Sequence, residues 1–220
     1  MRKCAIVLAA AMLAAAGCSE KPSLTSSGPK ERARAIQAAV KVADEKTVEQ
    51  VVALTRNEDV QTAASAVAAL GRMSSPRAGE TLRQVVAADT RAEVRLVAVQ
   101  GLSQRTEPKA VEALRETLVR DPAPEVRGEA ALGLAKAGTI EDVPVLAAAV
   151  GREADPKVAR KQELAMEYLI GVRFPPPDPT MTPAQRRERV QRIRTTAMRL
   201  AEARKNKIPL GNPCKDNASK

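Results

Sequence analysis

The 220-residue sequence predicts an all-α protein, a solenoid of about four helix pairs followed by a basic helix, and three observations carry that prediction. The first is self-similarity. Every thirty-second residue from Thr62 to Met166 returns to the same chemical character. Thr62, Val94, Val126 and Val158 form one column, Ala66, Ala98, Ala130 and Gln162 a second, and Leu70, Leu102, Leu134 and Met166 a third. Another set follows each of these, with Leu82, Leu114 and Leu146 in one column and Val86, Leu118 and Val150 in the next. A period between about 20 and 50 residues marks a stacked repeat array. The second observation is the spacing i, i+4, i+8 inside each set, which places those residues on one helical face. The third is composition: 44% of residues are apolar but only 1% aromatic, namely Tyr168 and Phe174. A single globular core draws bulk from aromatics. Ala, Val and Leu must close this one, which suits thin helices stacked closely.

In chain order, residues 1–17 begin with a basic start, continue through the apolar run Ala5 to Ala16 and end on Gly17. That pattern describes an export signal, too short for the roughly 20 residues needed to span a bilayer. Ala15-Ala16-Gly17-Cys18 resembles the lipobox of bacterial lipoproteins, with Ala15 where those proteins prefer Leu. The resemblance implies that Cys18 becomes the mature N-terminus, carrying a diacylglyceryl thioether and an acylated (palmitate-type) amine. By the sorting pattern of enterobacterial lipoproteins, the same resemblance implies that Ser19, rather than Asp, favours the periplasmic side of the outer membrane over the inner membrane. The competing reading is an ordinary secretory signal with a cysteine beside its cleavage point. Cys4 lies in the removed segment and Cys214 has no mature partner, so no internal disulfide is expected. Residues 18–30, rich in Ser, Pro and Gly, read as a flexible tether.

Residues 31–172 form the array. Turn signals at Ser74-Ser75-Pro76, Thr106-Glu107-Pro108 and Gly138-Thr139 divide each repeat into two helices, and Asp89-Thr90, Asp121-Pro122 and Asp155-Pro156 separate the repeats. An irregular earlier copy carries Ile36 and Val40, then Val52. The expected pairs are 31–57, 58–89, 90–121 and 122–153, closed by a helix over 156–171.

Glu93-Val94-Arg95 with Ala98 and Leu102, and Glu125-Val126-Arg127 with Ala130 and Leu134, resemble HEAT repeats, most closely the short type named after phycobilin lyases. The resemblance covers about 60–170 and implies a ladder between repeats, Asp89 with Arg95 and Asp121 with Arg127, ending where Ala159 replaces the arginine. It also implies that the second helices line a concave, ligand-facing side. On them Glu80, Arg83, Gln84, Glu112, Arg115 and Glu116 point away from the Leu/Val stripe. Val143 to Val150, including Val143 and Ala147, is apolar all round. A helix apolar on every side is covered by something, either by the C-terminal segment or by a partner.

Residues 173–182, with three consecutive prolines, break the helical pattern. Thr182-Pro183 restarts a helix over 183–206, whose Val190, Ile193, Ala197, Leu200 and Ala201 make a narrow apolar stripe. Around it stand Arg186, Arg187, Arg189, Arg192, Arg194, Arg199 and Arg204. Three readings compete: a cap docked on the array, a helix lying in an anionic membrane surface, or a binder of an acidic protein or envelope polymer. Residues 207–220 read as a disordered tail.

Charge and composition exclude several classes. The chain has no histidine, which removes Ser-His-Asp and Cys-His nucleophiles, His-ligated metals and the usual proton shuttle. Residues 18–172 hold 22 Lys+Arg and 22 Asp+Glu, whereas 173–220 hold 12 and 4, so the basic signal belongs to the C-terminus. Nucleic acid is disfavoured by the export signal and the lack of stacking aromatics. No residue set calls for a cofactor or a metal. The expected function is a membrane-tethered, non-catalytic scaffold, a monomer, for a protein of the bacterial envelope. The HEAT resemblance also implies a bilin-lyase-like enzyme, which the export signal opposes.

Overall fold

A computed structural model describes residues 23–25, 28–178 and 180–206. The expectations for the export signal, Cys18, Cys214 and the tail lie outside them. Ten α-helices are present among the described residues, with no strand: α1 Pro29–Val42, α2 Glu45–Leu54, α3 Val60–Gly71, α4 Pro76–Ala88, α5 Ala92–Leu102, α6 Pro108–Arg120, α7 Pro124–Ala137, α8 Val143–Arg152, α9 Pro156–Ile170 and α10 Pro183–Lys205. A single 3-10 turn, Ile140–Asp142, leads into α8.

Local chemistry sets where the helices begin. Pro29, Pro76, Pro108, Pro124, Pro156 and Pro183 open six of them, where a missing N–H costs nothing. The Asp44 carboxylate accepts from Thr47 N, Asp59 from Thr62 N, and Asp155 from Lys157 N and Val158 N. Thr182 and Gln185 bond each other's backbone in a reciprocal cap that starts α10. The first helix also starts earlier than the tether reading allows: Pro29 and Lys30 already belong to α1.

The first helices α1, α3, α5, α7 and α9 pack side by side in one layer, and α2, α4, α6 and α8 form the other. Each second helix packs mainly on the first helix of the next repeat. The columns face inward between the layers. Val94, Ala98, Leu102, Leu114, Val126, Ala130 and Leu134 are all fully buried. Gln162, which takes the alanine position in the last copy, is buried too and donates to Glu153. In the earlier copy the core is Ile36, Ala39, Val48 and Val51, with Val40 and Val52 only half-buried at its edge. Where α3 and α5 cross, a Cβ on Gly71 would stand 2.8 Å from the Gly101 Cα. Both positions therefore exclude a side chain.

Helix α10 covers the far end of the stack. Lys205 at its end pairs with Glu141 just before α8, and Arg194 lies against Gly151 near the end of α8. The two helices thus run antiparallel. Arg189 meets Glu163 and Arg204 lies beside Gly171, so α10 runs parallel to α9. Reaching that direction requires the chain to return along α9 first. The 15 residues of α9 span about 22 Å at roughly 1.5 Å each. Residues 171–182, at about 3.1 Å per residue in an extended proline path, cover that distance. Gly171, with φ of 64°, makes the left-handed turn that begins the return.

Candidate interaction surface

The expected ladder between repeats is built differently: the carboxylate pairs close within one repeat, and backbone contacts alone join Arg95 to Asp89 and Arg127 to Asp121. Arg95 donates from Nε and Nη2 to both oxygens of Asp121, at 2.8 and 2.9 Å, and from Nη1 to the backbone carbonyls of Asp89 and Thr90. Arg127 repeats this with Glu153, at 2.9 and 2.8 Å, and with the carbonyls of Asp121 and Pro122. The acid therefore lies 26 residues after its arginine, and Asp89 with Arg95, or Asp121 with Arg127, share a backbone contact rather than a carboxylate pair. Topology explains the correction. Two antiparallel helices bring the end of the second back beside the start of the first, so Asp121 meets Arg95. The Asp89 carboxylate is already taken by the Arg91 backbone N–H and guanidinium. Glu153 receives the last of these arginines, since Ala159 supplies no donor.

The electrostatics follow from these contacts. Hydrogen bonding to Asp121 and Glu153 raises the pKa of Arg95 and Arg127 above its ordinary value. Arg127 in turn holds the Glu153 carboxyl below the usual range, against the opposing effect of burial. Arg91 does the same for Asp89. Arg95 and Arg127 each also fix a loop, because they reach the carbonyls preceding their own helices.

Two further arginines tie repeats together, and the column pattern did not reveal them. Arg91 donates to the carbonyls of Asn57 and Thr55 in the preceding repeat. Arg105, buried, donates to the carbonyls of Met73 and Ser75. Arg105 sits 32 residues after Met73, one repeat length on. That spacing is the one signal that could have marked it.

The second helices α4 and α6 enclose a groove of about 630 Å³. Glu80, Arg83, Gln84, Glu112 and Glu116 all line it, as the exposed face of the second helices predicts. Val86, Ala87, Ala113 and Thr117 line it as well. Glu80 is held by Arg83 and Gln84, and Glu116 by Arg120 at 3.2 Å, whereas Glu112 stands exposed.

Three members of the expected surface are elsewhere. Arg115 reaches away from the groove, donating at 2.5 Å to Asp142, a fully buried carboxylate that also accepts from Thr139 N. Its role is to neutralise that buried charge at the turn before α8, and the Asp142 contact raises its own pKa. Val143 and Ala147 are buried rather than exposed, because α6, α9 and α10 all pack on α8. The apolar helix is thus covered from within the chain.

The basic helix divides in the same way. Arg189 is buried, donating to both oxygens of Glu163 at 2.6 and 3.1 Å and to the Pro175 carbonyl at 2.5 Å. Arg194 packs along Gly151. Arg186, Arg187, Arg192 and Arg199 remain exposed. Ile193, Ala197, Leu200 and Ala201 are buried in the α10 interface, so the stripe that would enter a membrane is already used.

The family model for HEAT repeats matches residues 22–103 and again residues 79–167, together well over half of the chain. No curated protein matches it. HEAT repeats generally mediate protein–protein interaction, and solenoids of this fold are typically non-catalytic scaffolds. With both matches falling on the stacked pairs and the groove between them, the chain belongs to the HEAT-repeat family.

Proposed function

We propose that this chain is a membrane-anchored, non-catalytic protein-interaction scaffold of the bacterial cell envelope, held by a lipid on Cys18 and meeting its protein partner along α4 and α6. The observation that carries the reading is the groove between those helices. It combines small side chains, Ala87, Ala113 and Thr117, with both acids and bases, a composition suited to a protein surface rather than to a compact small molecule. The finer likeness to the phycobilin-lyase type of HEAT repeat rests on Glu93-Val94-Arg95 and Glu125-Val126-Arg127. The anchor rests on Ala15-Ala16-Gly17-Cys18.

Crosslinking in intact envelopes tests the scaffold. The full chain should capture one reproducible protein, and Glu112→Arg with Glu116→Arg should abolish the capture while leaving the helical melt unchanged. A chain recovered alone under several growth conditions, or capture indifferent to the groove, would sink the proposal. The anchor has its own assay: labelled fatty acid should enter the full chain and fail to enter Cys18→Ser.

A further inference from the structure

Many arginines of the array are matched to acids, although Arg34, Arg56, Arg72 and Arg152 are exposed with no ion pair among the described residues, and α10 concentrates the unmatched ones on a single helix. Arg77, Arg91, Arg95, Arg115, Arg127 and Arg160 each face a carboxylate at 3.0 Å or less. Residues 183–205 hold eight Lys+Arg against two Glu. Of these, Arg189 is matched to Glu163 and Lys205 to Glu141. Arg187, Arg192 and Arg199 are exposed and have no ion pair among the described residues. The linker's Arg173, also exposed, has none either.

The docked state of the helix makes this surplus informative. An amphipathic helix that inserts into lipid needs its apolar stripe free, and here Ile193, Ala197, Leu200 and Ala201 are committed to the array. What faces outward is charged and polar, with Gln191 and Thr195 among the charges and Met198 the one large apolar side chain exposed there. Arg187 and Arg199 stand twelve residues apart, about 18 Å along the axis, and no cleft gathers them around a single anion. Arginines spread in this way along and around the exposed side match a surface whose negative charges can move laterally to meet them. Glu188 and Glu202 are interspersed and exposed; they weaken the field without cancelling it.

We infer that the outer face of α10 rests on an anionic lipid surface by charge alone, as a second membrane contact at the end of the array opposite α1. This deepens the envelope reading and rests on it. With the N-terminal lipid at one end and the arginine face at the other, the array lies along the membrane instead of standing off it.

The test uses the full chain carrying Cys18→Ser, so that no acyl group contributes. It is floated with vesicles of equal parts phosphatidylcholine and phosphatidylglycerol, and with phosphatidylcholine alone. Binding should need phosphatidylglycerol and weaken as salt rises. Each arginine near an anionic surface contributes a factor of roughly five. Arg187→Gln, Arg192→Gln and Arg199→Gln together should therefore lower the partition on the order of 100-fold. Glu188→Gln with Glu202→Gln should raise it, an opposite shift that loss of folding cannot mimic. Equal binding to neutral vesicles, a partition unchanged by the arginine variant, or capture by soluble polyglutamate without capture by vesicles would each overturn the inference. Because acylation and groove capture are measured separately, this failure is distinguishable from failure of the scaffold reading.

Discussion

The middle repeats and the C-terminal helix use the same residue type for opposite ends. Arg95 is buried, forked onto Asp121 and bonded to two carbonyls, so its charge is consumed in holding α5, α6 and a loop together. Arg199 is exposed on α10 with no ion pair among the described residues. Neither side chain differs in chemistry. The difference lies in whether the fold returns a carboxylate to within reach: the helix-pair topology does so at Arg95 and Arg127, while among the described residues α10, packed as a reversed last helix, finds one for Arg189 and Lys205 alone. Charged residues at repeat junctions are therefore structural, and the surplus at the end of the stack is what is left to face outward.

The comparison predicts its largest effect at the ladder. Arg95→Ala leaves Asp121 buried without its partner and should cost about 3–5 kcal/mol in a chemical melt. Arg199→Ala should stay within about 0.5 kcal/mol. Equal costs at the two positions would break the contrast. Leu102→Ala, at a fully buried column position, should lose about 2–5 kcal/mol through the cavity it leaves. Against a usual total of about 5–15 kcal/mol that is severe, and a loss under about 1 kcal/mol would remove Leu102 from the core.

Arg189→Ala sharpens the contrast from inside α10. Its partner Glu163 keeps a bond from Arg160 at 2.9 Å, so the expected loss is smaller, about 1–3 kcal/mol. It should appear in hydrogen exchange as local opening of α10 ahead of the array. Thr182→Ala removes the cap that starts α10 and should cost about 1 kcal/mol, again confined to that helix.

Acidification gives the smallest and most graded effect. Glu153 has its folded pKa held below the ordinary value of 4.5 by Arg127, so the unfolded chain takes up the proton first. The stability this contributes is full above that value and is lost as pH falls through the depressed folded pKa. Melts of the parent chain and Glu153→Gln should differ at neutral pH and converge on acidification. A gap that persists below the carboxylate range would assign the role of Glu153 to packing.

Much of the fold was legible because its signals are local. Columns of Val, Ala and Leu at helical spacing, with prolines at helix starts, need only neighbouring residues to be read, and the observed pairs fall where they predict. The groove residues Glu80, Gln84, Glu112 and Glu116 were legible by the same token, lying opposite the buried stripe of their own helices. Arg115 was not. Its position on α6 matches that of its neighbours, but Asp142 in the turn before α8 draws it away. Val143 and Ala147 misled for a related reason. Their apolar character said that α8 is covered, and only the packing of α10 said by what.

By itself, then, the sequence determined that this protein is a stack of helix pairs, which faces of those helices are buried and where surplus positive charge collects. These follow from periodicity and composition, which do not depend on how distant segments meet. Tertiary structure alone decided which acid each arginine grips, that α10 runs back against α8, and which arginines remain outside. Those outcomes depend on contacts across 26 residues or more, set by the crossing of helices and the length of an extended proline linker, and no local pattern encodes them.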